Sequence, residues 1–481
     1  MKKHIFIYGA GEAGASTIHS LKPLIEEIEI IGLIDDDLSK KGKTLNNIKI
    51  YSFDEFKKNI QFYNKVEVII STEFITKQKK EELLDFCNSN KIIVKKIPEY
   101  KDWVNETEFN TNKIKKLQIS DLLDRDEIVL DYQNIQTQLS GKVILITGGA
   151  GSIGSQIVKS IIDFNPKHIL IIDNNENRLH DLDLYINDLN KKTETSIDLI
   201  TLDINHKSSL NFLFKNFRPD IIFHAAAYKH VPMMEKNPLS AISNNILGTL
   251  NLLELTQKFI SQKFIFISTD KAINPTNIMG ATKRYSECLV QFFALKNSKT
   301  IYATTRFGNV LGSNGSVIPR FQNLIDNLKD IPITHPEIIR YFMTIEEACN
   351  LVLEASAMAK NREIFVFDMG KPCKIKDLAI KLIKLNGLQP GIDIKIKYTG
   401  LRPGEKLMEE LLANSDNTIK THHPKILKAR STINDFQIFY NKIIELKDSL
   451  KRNDQEKAVK ILKHCLPEFI SQNSNFSELD N

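Results

Sequence analysis

A chain of 481 residues is longer than one hydrophobic core usually serves, so two or more domains are expected. Its composition, 42% hydrophobic and 26% charged with no low-complexity tract, excludes disordered and fibrous classes. A formal charge of +6 from scattered lysines argues weakly against a nucleic-acid partner and is compatible with an anionic small molecule, but it reads first as a solvated lysine-rich surface.

The opening "MKKHIFIYGAGEAG" sets charge before apolar residues, but the apolar run is too short for a signal peptide. No window approaches the ~18 consecutive apolar residues of a membrane span, so no span is expected and the protein reads as cytoplasmic. Within residues 1–110 a strand, a turn with Gly9, Gly11 and Gly14, a helical pattern and a strand ending in Asp35, Asp36 and Asp37 follow in order. That is the dinucleotide-binding order of a Rossmann-like domain. The same glycines equally serve to pack a helix on a sheet with no ligand. Cys87, Cys288, Cys349, Cys373 and Cys465 lie far apart without a C-x-x-C pair, which fits a reducing compartment. His422-His423 has no nearby cysteine or acidic partners, so no metal is expected.

Residues 111–140 read as a connector, after which "GKVILIT" runs straight into "GGAGSIGSQIVKSI". Gly148, Gly151 and Gly154, with Ser152 and Ile153 between them, let a pyrophosphate approach backbone N–H groups at a helix N-terminus. Asp173 ends the next strand, where an acid binds ribose hydroxyls and repels a 2′-phosphate, which favours NAD over NADP. Asp203 and Ile204 end the third strand and are placed to reach the adenine. In "PDIIFHAAAYKH" a buried strand is followed by small residues, among them Ala225 and Ala226, that let the nicotinamide side approach.

The segment "STDKAINPTNIMGATK", residues 268–283, is similar to the active-site stretch of short-chain dehydrogenases, which carries Tyr-x-x-x-Lys. Lys283 is present, but the tyrosine position holds Met279, whose thioether cannot move a proton. Either the site is dead or another residue does the acid/base work. With "AAAYKHVPMMEKNP", "NNILGT", "RFGNVLGSNGSVIPRF", "RYFMTIEEA" and "GLRPGEKLMEELL" in order, residues 115–430 resemble the capsular-polysaccharide type of nucleotide-sugar 4,6-dehydratases. They are most similar to UDP-N-acetylglucosamine 4,6-dehydratases, of the extended short-chain dehydrogenase/reductase family.

The resemblance implies an α/β fold of two Rossmann-like, doubly wound parallel-sheet domains. The second, residues 141–430, would carry NAD and a smaller substrate-binding part, with a helical segment over 431–481. Long members of the family carry transmembrane helices ahead of the first module; this chain is expected to be a form without them. Their methionine at the tyrosine position makes Met279 a family trait and places the chain in the branch thought to retain the C5 configuration. A UDP-sugar substrate and a homo-oligomer are also implied.

Such an enzyme oxidises C4 of the sugar, removes water across C5 and C6, and returns the hydride to C6. By resemblance Asp270 is the acid at C6 and Lys271 the base at C5. Their pKa values are expected to move toward neutrality, Asp270 up by burial and Lys271 down by burial or by neighbouring Lys283. Thr269 can hydrogen-bond the C4 oxygen, while Asp270 can take its proton directly. Lys283 should bind the nicotinamide ribose. Lys229, His230, Asn245, Asn309, Arg340, Arg402 and Glu405 are candidates for substrate binding, the arginines for bidentate contact with diphosphate and Glu405 for a ribose hydroxyl. Several of these read equally as surface ion pairs.

Beyond residue 431, Phe436, Phe439, Ile443, Leu446 and Leu450 recur at three- and four-residue spacing. That stripe should pack on the substrate domain, with a subunit contact as the alternative. Two rival functions remain: an epimerase, which needs no acid/base pair aimed at C5 and C6, and a non-catalytic NAD-binding regulator.

Overall fold

The computed structural model describes residues 2–480 apart from 25, 73–74, 91, 98–114, 117–120, 122–127, 129, 190–193, 297–298, 411–417 and 430–434. Half of the predicted connector therefore lies outside the described residues. The chain divides into two compact units. One is Met1–Asp124 with Arg320–Pro332 and Lys376–Lys397; the other is Arg125–Pro319 with Ile333–Ile375 and Tyr398–Asn481.

In the first unit, strand β1 (Lys3–Tyr8), helix α1 (Glu12–Leu21) and strand β2 (Ile28–Ile34) follow the predicted order. β1 lies between β2 and the strand Val66–Ile70, parallel to both, within a seven-stranded sheet. Successive side chains of a strand point to opposite faces. Ile5 and Ile7 accordingly enter an aliphatic cluster with Ile18, Leu21 and Leu33. Phe6 enters an aromatic one, edge-on to Phe56 with ring centroids 5.0 Å apart. Burial on both faces explains why β1 reads as a continuous apolar run.

The second unit is built on strands β3 (Val143–Thr147), β4 (His168–Asp173), β5 (Ser196–Thr201), β6 (Ile221–His224), β7 (Lys263–Ile267), β8 (Ile301–Arg306), β9 (Glu363–Phe367), β10 (Thr418–Lys420) and β11 (Ile426–Ala429). They form one sheet in the order β5-β4-β3-β6-β7-β8-β9-β11-β10, parallel through β9 and antiparallel beyond it. The order reverses between β3 and β6. Ligands of open α/β sheets bind outside the carboxyl ends of the strands at such a switch point.

Helices α2 (Ser152–Ile161), α3 (Glu176–Leu189), α4 (Val231–Lys236), α5 (Thr249–Phe259), α6 (Ile278–Lys296), α7 (Ile345–Met358), α8 (Ile443–Lys451) and α9 (Gln455–Cys465) belong to this unit. Ile144, Ile146, Ile169, Ile171 and Phe223 face a cluster shared with α2 and α7. Leu145, Leu170, Ile172, Ile222 and Phe264 face the opposite cluster, shared with α5, α6, α8 and α9. Phe436, Phe439, Ile443 and Leu446 join that second cluster, so the C-terminal stripe packs as its spacing predicts. Phe439 meets Tyr285 edge-on at 5.0 Å.

Candidate active site

Every predicted site residue lies in the second unit, most of them at the carboxyl ends of its strands. Gly148 has φ +65°, and a Cβ there would stand 2.6 Å from the backbone N and Cα of Ala226. The β3 turn and the loop after β6 thus touch through backbone alone, which brings two predicted cofactor residues together. A Cβ on Gly154 would lie 2.2 Å from the Gly148 carbonyl oxygen and 2.7 Å from Gly149 Cα. α2 starts at Gly151 with no capping side chain. Its first N–H groups are left for a ligand at a terminus that favours negative charge.

Asp173 closes the turn, accepting from Ala150 N at 3.1 Å and Asn175 N at 3.0 Å. Asp203 accepts from Asn205 N at 2.8 Å, and Ile204 packs under Gly248. Ser152 Oγ accepts from Asn314 N at 3.0 Å, Ile153 is half-buried, and Ala225 N donates to Thr147 O at 3.0 Å. The residues suit a dinucleotide, with a side-chain-free cradle for its pyrophosphate and an acid for its ribose. Gly154→Ala is expected to push α2 off the turn and abolish cofactor binding, while Gly151→Ala, whose Cβ would be 3.1 Å from its nearest neighbour, is milder. Calorimetric titration with NAD checks this; equal affinities in both variants would detach the turn from the cofactor.

The first unit repeats the construction. Ala10 N donates to Asp35 at 2.8 Å, and a Cβ on Gly14 would lie 2.1 Å from Gly9 O. There, however, Lys40 pairs with Asp35 at 3.0 Å.

At the end of β7, Thr269 caps a short 3-10 turn, Asp270–Ala272. Asp270 is 4% exposed. Its Oδ1 accepts from Thr269 Oγ1 at 2.8 Å and from Lys271 Nζ at 2.9 Å. Lys271 Nζ also donates to Asn309 Oδ1 at 3.2 Å and stands 3.5 Å from Glu409. Glu409 lies 3.6 Å from Arg340, Arg340 3.7 Å from Glu405, and Glu405 3.2 Å from the exposed Arg402. Six charges of alternating sign therefore lead from the buried Asp270 to the surface. Arg340 is fixed further by the carbonyls of Ile339, Lys406 and Leu407.

One electrostatic expectation is corrected. Burial pushes Lys271 toward its neutral form, but the carboxylates of Asp270 and Glu409 outweigh it and hold the ammonium above the ordinary lysine pKa. The cation that opposes them is Arg340, not Lys283. Lys283 is the depressed lysine, pushed down to about 7 by burial with Glu287 pulling it back. Its Nζ donates to Ile267 O at 2.6 Å and lies 4.0 Å from the centre of the Phe266 ring. Met279, one helical turn earlier, is 4% exposed and packed in the apolar cluster rather than facing open space.

Behind the strand end, Ser268 Oγ donates to Glu287 at 2.6 Å. Burial pushes the Glu287 carboxyl up, but Arg306 and Arg284 hold it below its ordinary value. Arg306 Nε donates to it at 2.7 Å and Arg284 Nη1 at 3.2 Å.

Lys229 donates to Ser313 at 3.4 Å, and His230 fills the space beside Gly315, where a Cβ would stand 2.7 Å from its ring. Both are lowered by burial first and then by neighbouring cations, Arg178 among them. Arg178, on α3, was missed: nothing in the sequence connects it to Lys229. Two mutually repelling cations, Lys229 and Arg178, beside the imidazole of His230, suit a diphosphate. Asn245 is placed differently from the expectation that it contacts substrate. It is 1% exposed on a π-helical stretch, accepts from Tyr228 N at 2.8 Å, and donates to Tyr228 O at 3.1 Å and Thr282 Oγ1 at 3.0 Å. Its amide is used up in tying the loop after β6 to α6.

The segment after α9 joins the loops. Gln472 N donates to Thr276 O at 3.1 Å, and its carbonyl accepts from Gly404 N at 2.8 Å. Glu235 accepts from both Ser474 Oγ and Ile278 N. Among the described residues no helix is long and apolar enough to cross a membrane.

Residues 144–431 match the family described as polysaccharide biosynthesis protein, and residues 1–94 the one described as C2185-like, N-terminal. The chain is 38% identical to the capsular polysaccharide biosynthesis protein CapD of Staphylococcus aureus over 465 residues, 96% of this chain and 76% of that one. It is 34% identical to a UDP-N-acetylglucosamine 4,6-dehydratase (inverting) of Campylobacter jejuni, over 58% of this chain and 79% of that one. A UDP-glucose 4-epimerase of Rickettsia bellii is 36% identical over 57% and 79%. With the sheet order, the glycine turn and these matches together, the chain belongs to the polysaccharide biosynthesis protein family, nucleotide-sugar dehydratases and epimerases on the extended short-chain dehydrogenase fold.

Proposed function

We propose that the protein is a 4,6-dehydratase acting on UDP-N-acetylglucosamine with bound NAD, retaining the C5 configuration and feeding deoxy-amino-sugar synthesis for surface glycans. The observation that carries this reading is the buried Asp270–Lys271 pair, 2.9 Å apart at the carboxyl end of β7, the strand beside β6 at the switch point. A 4-epimerase has no use for such a pair beside C5 and C6. Met279 at the tyrosine position supports retention, as in the long branch of the family.

NAD, held by Gly148, Gly151, Gly154 and Asp173, supplies the acceptor for the C4 hydride and its source at C6. The protein's own groups do the rest. Asp270, as carboxylate, takes the C4 hydroxyl proton and delivers it to the C6 hydroxyl, which leaves as water. Thr269 holds that carboxylate in place. Lys271, as neutral amine, takes the C5 proton and later returns it to C5. Each group ends as it began, so no net redox change occurs. The working state is one proton short of the ion pair observed, and turnover should rise with pH as Lys271 loses its proton. Lys229, His230 and Arg178 are assigned to the diphosphate, with Arg340, Arg402 and Glu405 at the nucleotide end.

Incubation with UDP-N-acetylglucosamine followed by NMR of the product tests the reading. The expected result is a 4-keto-6-deoxy sugar of retained C5 geometry, formed over many turnovers with no rise in NADH absorbance. A C4 epimer would make the protein an epimerase. Wild-type protein that binds NAD and converts no nucleotide sugar would make it a regulator.

A further inference from the structure

Glu409 has no part in the steps above, yet it is the residue on which the alternating charges turn. It is 5% exposed. One oxygen, Oε1, stands 3.5 Å from Lys271 Nζ and 3.6 Å from Arg340 Nε. A carboxylate so placed serves two cations from different parts of the chain: Lys271 on the turn after β7, and Arg340 on the short strand Ile339–Arg340. Other charges facing this point are Asp270, through Lys271, and Glu405, through Arg340. Lys406 on the same loop turns away, to Glu410 at 3.0 Å and the Asn274 carbonyl at 2.9 Å. An ionised carboxylate this deep persists only where cations hold it, and both of its cations belong to the site.

We propose, resting on the dehydratase reading, that Glu409 is a positioning residue of the reaction, a buried carboxylate that joins the proton-transfer pair to the arginine end of the site. It aims the Lys271 amine by drawing it against the pull of Asp270, and it governs when that amine becomes free to act. Because Lys271 works only once deprotonated, a carboxylate beside it delays the onset of activity to higher pH. Arg340, drawing on the same oxygen, works in the opposite sense. The pair therefore tunes the lysine from both sides, and the two variants that remove them have opposite signs.

The test is the pH dependence of kcat in the wild type, Glu409→Gln, Glu409→Asp and Arg340→Met, each checked by thermal unfolding. An opposite charge within about 4–6 Å moves a pKa by about 1–3 units. The ascending limb should therefore move to lower pH by about 1 unit or more in Glu409→Gln, with a lower plateau because the amine is less well aimed. It should stay at the wild-type position in Glu409→Asp and move upward in Arg340→Met. A limb fixed in all variants, with only plateau or melting temperature changed, would reduce Glu409 to a structural role and overturn the proposal. Loss of all activity in both folded Glu409 variants would also overturn it, since the carboxylate would then act on substrate directly. Should Glu409→Gln not fold, the sign of the Arg340→Met shift decides. Wild-type protein that makes no 4-keto-6-deoxy sugar overturns the dehydratase reading and this inference with it; a working enzyme with an unmoved limb overturns this inference alone.

Discussion

Asp270→Asn is expected to lower turnover by about 10²–10⁴-fold while leaving NAD bound, and Lys271→Ala to do the same. Asp270 Oδ1 is the shared acceptor for Thr269 and Lys271, and the residue is almost closed to solvent. An amide keeps the shape and the threonine contact but can neither take the C4 proton nor deliver it at C6. Lys271→Ala leaves the carboxylate its threonine and removes the amine beside it that accepts from C5. Neither change touches the glycine turn, so cofactor titration separates lost chemistry from lost fold. Near-normal product formation in both variants, followed by NMR, would remove these roles.

The largest loss of stability is expected from Glu287→Leu. Glu287 is 0% exposed and meets Ser268, Arg306 and Arg284. Removing one member of a buried ion network strands the others, at a cost of about 3–5 kcal/mol. Arg306, 6% exposed and opposite Glu287 on β8, would be left with an uncompensated charge in the interior. Glu445→Gln on α8, which breaks an exposed pair with Lys442, should cost less than about 1 kcal/mol. Urea unfolding followed by circular dichroism compares the two. Joint replacement of Glu287 and Arg306 by apolar residues should recover part of the loss, because no lone charge then stays behind. Equal midpoints for Glu287→Leu and Glu445→Gln would show that the network carries no such weight.

The central parallel strands were legible because they are buried on both faces and read as continuous apolar runs, and β3 runs straight into the turn made by Gly148. Gly148 and Gly154 leave no room for side chains: backbone of Ala226 stands where one would be at Gly148, and backbone of Gly148 and Gly149 at Gly154. The C-terminal stripe was legible from its period. What the sequence did not show is pairing across long intervals. Glu409 sits inside a quoted motif, but nothing near it in the chain marks it as the partner of Lys271. Arg178 and Lys229 come from strand ends that β3 separates in the sheet, since α3 follows β4 and the loop bearing Lys229 follows β6. The direction of the Lys271 shift failed for a related reason. Lys283 is only twelve positions on (283 − 271) and seemed the natural neighbour, whereas the fold sets Glu409 and Arg340 closer. Burial of Asn245 belongs here too, since its partners Tyr228 and Thr282 come from separate elements.

The hydrogen bonds of Gln472 and Ser474 bear on the order in which the molecule acquires its shape. Ser474 and Glu235 are 239 positions apart, and Thr276 and Gly404 are 128 apart. The β3 turn and α2, by contrast, are made from residues within one short span. Closing a long loop costs chain entropy before any contact rewards it, so local pieces form early and distant ones late. The crevice for the dinucleotide should therefore be complete while the loops bearing Asn277, Gly404 and Glu235 are still apart. In refolding from denaturant, NAD fluorescence quenching should recover in a faster phase than dehydratase activity, the slower phase marking arrival of the segment around Gln472.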